Sequence, residues 1–266
     1  MKRTNTFMAI IVCLTMTIFQ FGCKKDESAN IPKQQKLTQI KENAELVSKM
    51  HNDLIMRYIE NVDRIIPVKE DTIGAEEMVS IIECLTGVNI TIIEDASQIN
   101  DNCTVLNLDS IIDDELLKMA NYSTTILVEN YFNSVDCILE SDTLSLQETI
   151  TLLDTIENVI LNDNEASDDE IQVLLNGIEV LKGSLTLWDT LGYDGSKANP
   201  TSWPRWKKIL FVAGCDAIGA VVGYFIGGFV TYMGVTYYIP PTTGGAYVTA
   251  CVFSLFGARR VGWNVS

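Results

Sequence analysis

No charged residue occurs between Asp216 and Arg259, and inside that window Gly219, Gly223 and Gly227 recur at every fourth position. Each glycine costs a helix interior about 1 kcal/mol relative to alanine, so three cost about 3 kcal/mol unless something packs closely against them. Read backwards from the C-terminus, the chain offers a matching series of small residues: Gly262, Ala258, Ser254, Ala250, Ala246. Two stripes of period four, with Pro240-Pro241 and Gly244-Gly245 between them, predict an antiparallel helical hairpin at close backbone distance. Pairing Thr231 with Ala246 brings Gly227 to Ala250, Gly223 to Ser254, Gly219 to Ala258 and Cys215 to Gly262. Asp216 is the single acid of this region. In that register it is level with Val261, and an ion pair with Arg259 or Arg260 at the hairpin base is expected. Cys215 and Cys251 fall too far apart along the axis for a disulfide.

The preceding residues read as helices. Leu37, Ile40, Ala44, Val47, His51, Leu54, Tyr58 and Ile65 form one apolar seam that ends before Pro67. Residues 75–86 form a shorter helix stopped by Gly87, and 109–122 and 123–141 form two more. NITII at 89–93 has strand character but no evident partner. Ser145 with Glu148 and Ser167 with Glu170 are capping boxes, so helices start there. The second carries the stripe Ile171, Leu174, Ile178, Leu181, Leu185, Trp188, Leu191 and stops before Gly192. The fold expected is all-α: a helical bundle over 35–195, a linker at 196–204, and the glycine-rich hydrophobic hairpin over 205–266, which holds ten of the 17 glycines.

Lys2 and Arg3 precede an apolar run from Phe7 to Phe21 that ends in Gly22-Cys23, which reads as a secretory signal over 1–22. The run resembles the lipobox of bacterial lipoproteins, and Lys25-Asp26-Glu27 resembles the lysine-plus-two-acids signal that sends lipoproteins of some Gram-negative bacteria to the outer face of the outer membrane. The resemblance implies lipidation at Cys23, a tether over 23–34 and a location on the cell exterior. Attached acyl chains contribute about 0.8 kcal/mol per buried methylene and would hold the protein on the membrane.

Whether the hairpin lies in lipid or in the protein is open at this level. Its first helix offers more than 20 apolar residues from Ile209, while 246–258 would reach only about 20 Å. Arg205, Lys207, Lys208, Arg259, Arg260 and the tryptophans 203, 206 and 263 gather at its base, where a lipid interface suits them. The segment is similar to the membrane-active hairpins of glycine-zipper peptides and some bacteriocin-like toxins.

Chemistry-bearing patterns are absent from the sequence. The single histidine, His51, sits on the first seam without a flanking carboxylate, and no GxSxG, P-loop, HExxH or GxGxxG occurs. The acidic run 162–170 lacks the glycine and terminal glutamate of an EF-hand loop and reads as a polar loop into the Ser167 cap. No metal, cofactor or catalytic group is expected. The net charge is −16, divided into +4 from Arg205 onward and −20 before it, which disfavours nucleic acid. Cys84, Cys103, Cys137, Cys215 and Cys251 remain after the signal and Cys23 are set aside; they form no CxxC pair or disulfide framework. The reading is a non-enzymatic surface lipoprotein, a binding or structural module whose hairpin contacts a membrane or a partner. The alternative is a membrane-active, bacteriocin-like effector whose hairpin is masked by the acidic helical domain.

Overall fold

The computed structural model describes residues 32–65, 75–86, 91–93, 105–107, 126–139, 141, 144–192, 203–225, 228–232, 235–239 and 243–263. Seven helices and four short strands lie among them: α1 (Lys33–Ile65), α2 (Ala75–Thr86), β1 (Thr91–Ile93), β2 (Val105–Asn107), α3 (Ile126–Leu139), α4 (Leu146–Leu161), α5 (Asp168–Leu191), α6 (Arg205–Phe225), β3 (Gly228–Tyr232), β4 (Val235–Ile239) and α7 (Thr243–Arg260). The expected helical architecture is present, with a small sheet in addition. Gln39–Ser266 form one compact unit; of the other, Met1–Thr38, the described part is residues 32–38, where α1 begins. Residues on the two sides of the 196–204 segment therefore share one core.

The helix starts are explained locally. Ser145 and Ser167 each accept from the amide of the third helical residue, while Glu148 and Glu170 return to the serine amides at 2.8 Å, so both capping boxes are closed. Gly192 takes a left-handed conformation, φ 67°, immediately past α5, a conformation that glycine adopts without steric cost. Pro204 precedes α6, and its carbonyl accepts from the Lys208 amide.

The core is built on α5, α6 and α7. α6 runs along both of the others. Every residue of α7 from Gly245 to Ala258 is buried, and a helix apolar on all sides belongs inside a protein or in lipid. Among the described residues no helix is long and apolar enough to cross a membrane.

The sheet corrects the connection expected inside the hairpin. α6 ends at Phe225 and does not continue through Thr231; β3 and β4 follow as an antiparallel pair in which Tyr232 faces Val235. The strand order is β1-β4-β3-β2, with β1 antiparallel to β4 and β2 parallel to β3. Thr91–Ile93, the described part of the 89–93 segment, thus has a partner after all, 145 positions along the chain where Ile92 meets Tyr237, beyond any local signal. Valine, threonine and tyrosine dominate β3 and β4, the residue types that suit a pleated surface better than a helix.

Candidate functional site

The glycine stripe closes against backbone. A side-chain carbon on Gly219 would stand 2.7 Å from the Ala250 Cα and 2.8 Å from the Thr249 carbonyl oxygen. One on Gly223 would run into the Gly245 backbone and the Thr249 hydroxyl, and one on Gly257 would stand 3.2 Å from the Val212 Cα. The hairpin helices are therefore in intimate contact, as the stripes require. Their register differs from the expected one: Gly219 meets Ala250 rather than Ala258, and Gly223 meets Gly245 and Thr249 rather than Ser254. The reason is the length of α6, which ends before Gly227 and so cannot bring Thr231 opposite Ala246. Gly227 lies outside the described residues. Ala246, Ala250, Ser254 and Ala258 are all buried on α7.

The shift removes the expected ion pair at the hairpin base. Arg259 and Arg260 are exposed in the last turn of α7, where cations suit the helix C-terminus. Asp216 is wholly buried and is met instead by side chains of three other helices. Ser184 of α5 donates its hydroxyl to Asp216 Oδ2, the Trp188 indole N–H donates to the same oxygen at 3.2 Å, and His51 Nε2 of α1 stands 3.7 Å from it. The Ser254 hydroxyl of α7 faces the carboxyl outside hydrogen-bond geometry. Trp188 in turn stacks on Trp263, ring centroids 5.3 Å apart, so Trp263 is a core residue and not an interfacial one.

Burial pushes the Asp216 carboxyl up to about 7 against the opposing donors Ser184, Ser254 and Trp188. Burial likewise pushes His51 down to about 4, with Asn52 opposing. Both shifts favour the neutral forms, and the 3.7 Å separation is longer than a hydrogen bond. The order Ser184, Asp216, His51 also differs from a nucleophile–base–orienter chain, in which the imidazole stands between serine and carboxylate. Here the carboxyl is in the middle and everything is sealed from solvent. This cluster ties four helices together; it does not present a nucleophile.

A second polar cluster joins α1, α4 and α5. Lys182 Nζ meets Glu157 Oε2 and Glu179 Oε1 at 2.6 Å each and Asp154 Oδ1 at 2.9 Å, while Lys41 Nζ meets Glu157 Oε1 at 2.6 Å. Burial pushes Glu179 up to about 7, with Lys182 opposing and Glu157 adding to the rise. Burial would raise Glu157 as well, but Lys182 and Lys41 hold it below its ordinary value. At the N-terminal end of α6, Arg205 Nη2 donates to the Asp189 carbonyl at 2.6 Å and lies 3.0 Å from its carboxylate, and Lys207 sits over the Trp203 ring. The acidic stretch is a turn: Asp163 Oδ1 accepts from the amides of Glu165 and Ala166, and Oδ2 accepts from the Tyr131 hydroxyl at 2.8 Å.

Trp188 is legible in the sequence only as an apolar stripe position, and Ser184, Glu157, Glu179 and Lys182 carry no sequence mark as cluster residues. One signal was present: a lone acid in an apolar helix requires buried donors. The sequence does not say which helices supply them. Cys23, Lys25, Asp26 and Glu27 lie outside the described residues. No family model, curated protein or solved structure matches the chain.

Proposed function

We propose that the chain is a non-enzymatic lipoprotein of the outer membrane, anchored through Cys23, facing the cell exterior and acting as a binding or structural module. Its C-terminal hairpin is the centre of the fold, and its membrane contact is the N-terminal lipid. Anchoring and location rest on the Gly22-Cys23 and Lys25-Asp26-Glu27 resemblance, and one observation supports the hairpin's role as core: Gly245–Ala258 of α7 are buried throughout, with Gly219 and Gly223 of α6 held against their backbone. Among its described residues, a hairpin used in this way as core turns most of its apolar side chains inward and away from lipid. The acidic body, which holds a charge of −20 before Arg205, adds repulsion from anionic headgroups.

The test is expression of the full chain and of Cys23→Ala in a Gram-negative host, with fatty-acid labelling followed by membrane fractionation. The wild-type chain should carry label and sediment with membranes, and Cys23→Ala should carry none and remain in the soluble fraction. A Cys23→Ala chain that stays with the membrane would favour the bacteriocin-like alternative, in which the hairpin itself inserts.

A further inference from the structure

We propose that Asp216 and His51 hold a single proton between them and enter the core as a neutral acid beside a neutral imidazole, so that closing this four-helix contact changes the pair's proton count little. The geometry points to it. Both side chains are wholly buried and belong to different helices, His51 to α1 and Asp216 to α6. His51 Nδ1 lies 3.0 Å from Asn52 Oδ1; an amide oxygen accepts only, so Nδ1 carries the hydrogen. Nε2 has no hydrogen-bond partner among the described residues and faces Asp216 Oδ2. An imidazolium–carboxylate pair would close to a short charge-assisted bond, and 3.7 Å is too long for one.

Around Asp216 the titratable groups are His51 from α1, Cys215 from its own helix and Cys251 from α7; α5 supplies the uncharged Ser184 and Trp188, and α7 the Ser254 hydroxyl. Burial pushes both thiols well up, so neither adds an anion at neutral pH. Among the described residues no cation therefore faces the carboxyl. A buried anion without a cation is costly, and the proton that neutralises Asp216 removes that cost.

In the open chain the same pair carries one proton between the ordinary carboxyl and imidazole values, there on His51. On burial, the His51 N–H bond that held this proton is given up and an Asp216 O–H bond replaces it, with solvent carrying the proton. The two shifts oppose each other: the raised acid contributes stability present below about 4 and lost as pH rises through about 7, and the lowered imidazole contributes stability present above 6.5 and lost as pH falls through about 4. Together they cancel over most of that window. Either residue alone exposes a slope.

The test compares urea unfolding of the full chain with Asp216→Asn, His51→Gln and the double variant at pH 5 and pH 7.5, each as a ratio to wild type. Relative to wild type, Asp216→Asn should lose about seventyfold in its folding constant at pH 5 compared with pH 7.5, and His51→Gln about thirtyfold at pH 7.5 compared with pH 5, with the double variant near flat. Two single variants whose ratios move in the same direction, or do not move, would overturn the proposal. A readout without variants uses the fact that His51 is the chain's single histidine and gives one set of imidazole nitrogen resonances. At pH 6 the folded wild-type chain should show a neutral ring with its hydrogen on Nδ1. An imidazolium at that pH would overturn it equally.

Discussion

Gly219 and Ala250 meet so closely that a side-chain carbon on the glycine would stand 2.7 Å from the alanine Cα. The obstacle is backbone in the middle of a buried helix and cannot swing aside. Gly219→Ala and Gly223→Ala each gain about 1 kcal/mol in helix propensity and, against immovable backbone, lose up to about 3 kcal/mol to overpacking, so net destabilisation of up to about 2 kcal/mol is expected for each. Thermal or urea unfolding of the two variants checks this.

Gly183 provides the contrast. An added carbon there meets first the Ser48 hydroxyl, the movable end of a side chain that donates to the Glu179 carbonyl at 2.7 Å. Gly183→Ala forfeits that hydrogen bond, about 1 kcal/mol, and regains a similar amount in propensity. Its unfolding midpoint should lie close to wild type, well above those of the α6 glycine variants.

The difference between the expected and observed hairpin explains how far the sequence could be read. The stripes of small residues announce that α6 and α7 touch, and they do. A stripe of period four matches its partner equally well after any slide of four residues, so periodicity alone leaves the register degenerate, and the actual one is displaced by eight, from Ala258 to Ala250 opposite Gly219. What fixes the slide is the end of α6 at Phe225 and the strands that follow, pairing with Thr91–Ile93 and Val105–Asn107 far back in the chain. Features set within one turn of helix were legible: the Ser145 and Ser167 caps, the stop at Gly192, and the seam of Ile40, Ala44, Val47, Leu54 and Tyr58, all of which are buried. His51 was legible as a seam residue. Its meeting with Asp216 joins helices 165 positions apart and left no local trace.

The Lys182 cluster predicts two outcomes of opposite sign. Lys182→Met leaves Glu157 and Glu179 without their shared cation and should cost about 3 kcal/mol at pH 7. Glu179→Gln should stabilise the chain at high pH. The Glu179 carboxyl stands near 7 when folded against an ordinary 4.5, so its contribution is present in full below 4.5 and lost as pH rises through 7, up to about 3 kcal/mol. Unfolding at pH 5 and pH 8.5 checks the sign: a gain for Glu179→Gln at the higher pH and little change at the lower.

The helix caps make a smaller, local prediction. Ser145→Ala and Ser167→Ala each free a first-turn amide and remove the hydroxyl's bond to the returning glutamate, so about 1 kcal/mol should be lost in each variant. Hydrogen exchange of the first turns of α4 and α5 should quicken before that of the helix centres.

On the proposed reading, Asp26 and Glu27 direct export to the cell exterior. Replacing both with alanine in the full chain should leave lipidation at Cys23 intact and abolish protease accessibility on intact cells. Unchanged shaving by external protease would remove the export role of these two acids.

The most direct measurement for the central claim, a hairpin that serves as protein core, is thiol reactivity of the folded full chain with an apolar, membrane-permeant maleimide in the presence of anionic vesicles, resolved by peptide mass spectrometry. Cys84 and Cys137 are exposed and serve as internal standards, while Cys215 and Cys251 are buried on α6 and α7. A hairpin held as core gives rapid labelling of the first two and protection of the last two, with vesicles or without. Labelling of Cys215 and Cys251 at rates near those of Cys84 once vesicles are added would contradict it.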